Sequence, residues 1–177
     1  PAMAESAQLL ERAGADFLVI PCNTAHCFLP ELQRQVRLPF INMIDEVVTW
    51  VRERYPEART VGLLATVATL QAGLYQARLA GGGLTAALPS DVEQARLLAA
   101  IAAVKAGADL TEHRRAVRSI VTSLVSQGAD AVIAGCSEVP ILLEGYDDTP
   151  VADGNQILAE STVRFAMHTQ SINRTFW

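Results

Sequence analysis

Lysine is nearly absent from this chain. Its 177 residues hold thirteen arginines and one lysine, Lys105. A pyridoxal phosphate enzyme needs a Schiff-base lysine, and nothing around Val104-Lys105-Ala106-Gly107 resembles such a site. A glycine-rich G-x-G-x-x-G after a strand is also missing. Gly81-Gly82-Gly83 follows a helical stretch and reads as a turn. No cofactor is therefore expected. No apolar run reaches the roughly 18 residues of a membrane span, and no secretory signal is visible. Basic residues are outnumbered, with a formal net charge of -5, which argues against a nucleic-acid surface. Cysteine is scarce and odd in number, three in all, so a disulfide framework is not expected. Reduced thiols in a cytoplasm are the better reading. Cys22 and Cys27 with His26 lack the paired spacing of a structural zinc site, and no metal is expected.

Half the residues are hydrophobic and 19% are charged, a composition that folds. The length suits one large domain or two small lobes. A repeat favours the second. Gly14-Ala15-Asp16-Phe17-Leu18-Val19-Ile20-Pro21-Cys22 matches Gly128-Ala129-Asp130-Ala131-Val132-Ile133-Ala134-Gly135-Cys136. Each copy runs from Gly-Ala-Asp through a short apolar stretch to a cysteine. Small polar residues follow: Asn23-Thr24 in one, Ser137-Glu138 in the other. Two similar halves facing each other would bring their thiols face to face.

Helical composition spans 3–13, 30–36, 45–54, 67–79, 90–105, 111–127 and 154–168, and strands are expected at 17–20, 40–43, 60–65, 84–88, 131–134 and 150–152. Strands alternating with helices imply an α/β protein with parallel sheets covered on both faces. Ligands bind such sheets beyond the carboxyl ends of the strands, and both repeat cysteines fall there. The expected fold is two pseudosymmetric parallel-sheet α/β lobes with the site in the cleft between them. The first lobe is read as 1–45 with 151–177, and the second as 46–150. The opening is unusual for a βαβ unit, because a helix comes first. An N-terminal segment of the first lobe is expected to be missing.

Cys22 and Cys136 are the candidate catalytic residues, although a free cysteine is also a common small core residue. A thiolate is the active base, so loop N–H groups are expected to lower each thiol pKa. His26, four residues after Cys22, and Glu138 are candidate supports. Cys27 is read as structural, His113 and His168 as surface residues, and Arg114, Arg115 and Arg118 as a solvated helix face. Asp153 is read as a support near the cleft.

Pro21-Cys22-Asn23-Thr24-Ala25-His26, with Gly135-Cys136-Ser137-Glu138-Val139-Pro140, resembles the aspartate/glutamate racemase superfamily, and most closely its aspartate-racemase and broad-specificity branch. Gly62 through Leu70, then Gly73-Leu74-Tyr75, is similar to the family's mid-chain Thr-x-x-Thr loop. The resemblance implies racemisation without pyridoxal phosphate, one cysteine taking the Cα proton as thiolate and the other donating from the opposite face. Each sulfur then needs roughly 3–3.5 Å to Cα, a separation of about 7 Å. The resemblance also implies that Asn23, Thr24, Thr66, Thr69 and Ser137 hold the α-carboxylate. Lys105 would bind a side-chain carboxylate; read from the residues alone, it is a helix-end lysine favoured by the macrodipole.

Glu138 stands where glutamate racemases carry His, and Ser137 where Thr is commoner. The family's first strand, its glycine-rich loop and an arginine for the distal carboxylate have no counterpart in this chain. The expected partner is a small amino acid, aspartate or a related one, with a homodimer as a further expectation. Three other readings stand beside it: a superfamily isomerase or decarboxylase of small dicarboxylic acids, a catalytically inactive binding protein or fragment, and a redox dithiol.

Overall fold

The computed structural model describes residues 2–174, with side chains as far as His168. In chain order the elements are α1 (Ala2–Arg12), β1 (Leu18–Val19), a 3-10 turn (Thr24–Phe28), α2 (Leu29–Gln33), β2 (Phe40–Ile41) and α3 (Met43–Arg54). Then come β3 (Thr60–Ala65), α4 (Val67–Gln71), α5 (Leu74–Gly81), β4 (Thr85–Ala87), α6 (Asp91–Lys105) and α7 (Thr111–Ser126). The chain closes with β5 (Ala131–Gly135), α8 (Val139–Leu142), β6 (Val151–Asp153) and α9 (Gly154–Arg174).

All strand pairs are parallel, as the alternating pattern predicts. β1 and β2 form a two-stranded sheet, and a four-stranded sheet runs β4-β3-β5-β6. β6 pairs with β5 through Val132 to Val151 and Ala134 to Asp153, so the strand at 151–153 lies in the larger sheet. α9, after it, packs on α3 and also touches β2 of the smaller sheet. Phe165 of α9 also meets Phe17 edge-on, with ring centroids 5.0 Å apart.

Both faces of the larger sheet are covered, which explains why its strands read as unbroken apolar runs. Val61, Leu63 and Ile133 face Met43, Val47 and Val51 of α3, Leu79 of α5, and Ile157 and Leu158 of α9. Leu64, Val132 and Ala134 face Leu97 and Ile101 of α6 and Val117, Ile120 and Leu124 of α7. The alternation follows the strand period of two. A smaller cluster of Ala7, Leu18 and Val36 packs α1 against the two-stranded sheet.

The repeated Gly-Ala-Asp is a helix stop that feeds a strand. Gly14 and Gly128 both take left-handed φ, +86° and +94°. The Ala15 N–H donates to the Leu10 carbonyl and the Ala129 N–H to the Leu124 carbonyl, each at 3.1 Å. Both are the six-to-one bond of a Schellman C-cap. Asp130 then accepts from the backbone N–H groups of Arg59 and Thr60, at 2.8 and 3.0 Å, tying β5 to the start of β3.

Two expectations change. The helix expected at 67–79 is two helices, because Gly73 takes φ +65° between α4 and α5. The 3-10 turn at Thr24–Phe28 and α8 are too short to leave a periodic signal, and neither was expected.

Candidate active site

Three loops meet at the carboxyl ends of the strands. Each begins where a strand stops: Pro21-Cys22-Asn23-Thr24 after β1, Thr66 to Thr69 after β3, and Cys136-Ser137-Glu138 after β5. Pairing aligns Ala65 with Gly135, so the Thr66 and Cys136 loops leave the sheet side by side. A Cβ on Gly135 would stand 3.0 Å from the Ala65 Cβ and 3.1 Å from Leu63 Cδ1; glycine permits this close approach just before Cys136.

The Cys22 loop is joined to the Thr66 loop by three hydroxyls. Thr24 Oγ1 lies 2.7 Å from Thr69 Oγ1 and 3.2 Å from Thr66 Oγ1, and Thr66 and Thr69 are 3.0 Å apart. Thr66 also caps α4 by accepting from the Thr69 N–H. The cysteines differ in setting: Cys22 is exposed, whereas Cys136 is 7% exposed.

Around Cys136 the polar contacts converge on Glu138. Its Oε2 accepts from Cys136 Sγ and from Ser137 Oγ, both at 2.9 Å. Lys105 Nζ approaches Oε1 at 3.7 Å from the end of α6. Burial acts to raise the Glu138 carboxyl, but hydrogen bonds from Cys136 and Ser137, with Lys105, hold it below the usual range. The expected lowering of both thiol pKa values fails at Cys136. Burial, and a thiol proton engaged by an anionic carboxylate, push it up to about 11. Cys136 is therefore a protonated thiol at neutral pH.

His26 is 4% exposed and spans two elements. Its Nδ1 lies 2.9 Å from the Cys22 carbonyl oxygen, and its Nε2 accepts from the Met43 N–H at 3.1 Å. A carbonyl only accepts and an N–H only donates, so the ring carries its proton on Nδ1 and is neutral. Burial holds its pKa below the ordinary value, against smaller opposing effects of the Cys22 and Asn23 backbone and Asp45. With both nitrogens engaged, His26 braces the Cys22 loop against the start of α3.

The remaining residues singled out in the sequence take the following places. Cys27, read as structural, is exposed on the 3-10 turn. Asp153 accepts from the N–H groups of Asn155 and Gln156 and so caps α9. Arg114 pairs with Glu144, Arg115 with Glu112, and Arg118 lies 5.9 Å over the Tyr146 ring. Among the described residues no group of three His, Cys, Asp or Glu side chains is placed to hold a metal ion. No helix among them is long and apolar enough to cross a membrane.

Two bonding roles escaped the sequence reading, one of them at Tyr75 of the quoted Gly73-Leu74-Tyr75 stretch. The Tyr75 hydroxyl donates to Asn23 Oδ1 at 2.6 Å, and Gln94 Nε2 donates to the Ala65 carbonyl at 2.9 Å. The available signal was a phenol on the buried face of α5 beside Leu79, since a buried Tyr needs a partner for its hydroxyl.

Parallel α/β sheets with two thiol-bearing loops at strand ends, one of them joined by a hydroxyl cluster to a third loop, define a class of α/β enzyme that works with its own side chains. The family model described as Asp/Glu/Hydantoin racemase matches residues 1–162, and the chain belongs to that family. The broad-specificity amino-acid racemase of Bacillus subtilis is 30% identical over 171 residues, covering 96% of this chain and 73% of that protein. A glutamate racemase from Roseiflexus is 33% identical over 172 residues, of which this chain spans 59% of the length. Among solved structures, an aspartate racemase homologue from Pyrococcus horikoshii superposes with a TM-score of 0.81 at 32% identity, covering 93% of this chain and 72% of that one. The Picrophilus torridus aspartate racemase gives a TM-score of 0.78 at 25% identity, covering 93% of this chain and 68% of that one.

Proposed function

We propose that the protein interconverts the enantiomers of an amino acid, aspartate or a related one, by two-base proton transfer without a cofactor. One observation carries the reading. Two copies of the same strand-to-cysteine unit end next to the Thr66 loop: Gly135, just before Cys136, pairs with Ala65, just before Thr66, and Thr24, two residues after Cys22, bonds to that loop directly.

With Cys22 as thiolate and Cys136 as thiol, Cys22 removes the Cα proton from one face. The electron pair of the broken C–H bond passes into the α-carboxylate. The Cys136 S–H proton is delivered to the opposite face, leaving a Cys22 thiol and a Cys136 thiolate. The reverse transfer serves the other enantiomer. Asn23, Thr24, Thr66, Thr69 and Ser137 supply donors for the α-carboxylate, where negative charge grows as the proton leaves. Lys105 supplies a cation for a second carboxylate, which would compete with Glu138. A cytoplasmic location suits the free thiols, and a homodimer belongs to the same proposal.

The test is Cα–H exchange in D₂O, followed separately from L- and D-aspartate. Cys22→Ser and Cys136→Ser should each lose most racemisation, since general acid–base groups typically contribute 10²–10⁴-fold. Each variant should wash deuterium into one enantiomer only, and the two should favour opposite ones. Near wild-type racemisation by either variant refutes the two-base reading. Amino-acid binding by the unsubstituted protein with no exchange from either enantiomer points instead to an inactive binding protein.

A further inference from the structure

Tyr75 is 0% exposed and sits among Met43, Leu79 and the other apolar residues between α3, α5 and the large sheet. Its hydroxyl has one partner among the described residues, Asn23 Oδ1 at 2.6 Å. Asn23, next to Cys22 in the loop, is 4% exposed. Among the described residues its Nδ2 bonds to no protein group, and it is not one of the buried polar atoms left without a partner. An amide can be turned either way round, and the partner decides which. Were Nδ2 turned toward the phenol, Tyr75 would accept from it, and the phenol's own proton would be stranded in an apolar core. A buried donor without an acceptor is costly. The phenol therefore takes Oδ1 and leaves Nδ2, with its two N–H donors, as the end free to meet a ligand. Burial also raises the Tyr75 pKa, so the hydroxyl stays a donor throughout the neutral range.

We infer that Tyr75 is a positioning residue: through its hydrogen bond to Asn23 it fixes the donor end of that amide toward the site, and so selects a carboxylate over a neutral carboxamide. The inference rests on the proposed amino-acid site and deepens it. Nothing in the proton-transfer step passes through Tyr75. Its effect is exerted through the donor that Asn23 offers the carboxylate.

The orientation is tested first, without any substrate. A neutron structure of the deuterium-exchanged protein should place the phenol deuteron between Tyr75 Oη and Asn23 Oδ1, with both amide deuterons pointing away from the ring. An amide deuteron on the phenol oxygen overturns the inference. Specificity is tested second, by calorimetry with L-aspartate and with L-aspartate α-amide. Tyr75→Phe keeps the ring and frees the amide to turn. The preference for the carboxylate over the α-amide should shrink roughly tenfold, the scale of one hydrogen bond to a charged group. Asn23→Asp keeps an acceptor for Tyr75 but turns an oxygen toward the ligand, and should reverse the preference. For racemisation by Tyr75→Phe, KM should rise and kcat should fall, because the Asn23 donor serves the α-carboxylate as charge grows on it in the transition state. A preference unchanged in Tyr75→Phe, with only a lower melting temperature, means that the tyrosine is merely structural and overturns the inference. If the neutron result holds but the unsubstituted protein binds neither ligand, the proposed substrate fails and the Tyr75–Asn23 coupling stands.

Discussion

Cys136 donates its S–H hydrogen bond to Glu138, with Sγ and Oε2 2.9 Å apart. The two thiols of the repeat are therefore unequal. Cys22 is open to solvent, while Cys136 is buried with its proton committed to a carboxylate. Glu138→Gln removes the negative charge and the anionic acceptor, both of which favour the protonated thiol. The Cys136 pKa should fall from about 11. Alkylation by iodoacetamide at pH 9, read residue by residue by mass spectrometry, should then be faster at Cys136 than in the wild type. Racemisation should drop, because Glu138 holds Cys136 in the protonated form from which it delivers its proton. Unchanged Cys136 alkylation would disprove control by Glu138.

Thr66 serves two purposes, capping α4 and closing the hydroxyl triangle with Thr24 and Thr69. Thr66→Val keeps the shape and removes the oxygen. The lost cap should cost about 1 kcal/mol in denaturant unfolding. Thr66→Ser restores the oxygen and should recover both the stability and the KM for aspartate.

His26 predicts an acid-side loss of stability with a definite sign. The folded protein holds this histidine below its ordinary 6.5, chiefly by burial. As the pH falls past about 6.5 the unfolded chain takes up a proton that the folded one refuses, so stability declines. The decline ends once the pH passes below the folded value. His26→Leu should remove this component from melting temperatures compared between pH 7.5 and 5. At pH 7.5 the same variant should be about 1–3 kcal/mol less stable, because the buried Met43 N–H loses its acceptor.

Asp130 predicts a loss at lower pH. Its carboxyl is held below the ordinary 3.8, chiefly by the Arg59 and Thr60 N–H groups. Its contribution is therefore fully present above 3.8 and disappears as the pH falls through the lower folded value. Asp130→Ala should lower the melting temperature at pH 7 by roughly 2–4 °C. The gap to the wild type should close in strong acid, and the KM for aspartate should not change.

The local code determined much of this protein by itself. Left-handed glycine after an apolar helix, then Ala-Asp and a β-branched run, specifies a C-cap and a buried strand from a few adjacent residues. That is why Gly14–Cys22 and Gly128–Cys136 could be matched on sequence, and why the parallel α/β class followed. β3 was expected at 60–65 and spans Thr60–Ala65. The polar residues after each cysteine marked the strand ends for the same local reason. Tertiary structure decided what depends on residues far apart in the chain. Cys22 and Cys136 follow nearly identical strands, yet one is exposed and the other buried, because only β5 lies inside a four-stranded sheet flanked by α6 and α7. Packing likewise placed β6 beside β5 and the Tyr75 phenol on Asn23 across 52 residues of chain. It also joined the Thr24 hydroxyl to Thr66 and Thr69. Hydrogen bonding inside the chain fixed the tautomer of His26, and burial beside Glu138 raised the pKa of Cys136. Burial and hydrogen-bond partners set a pKa, and both are properties of the folded neighbourhood rather than of the residue.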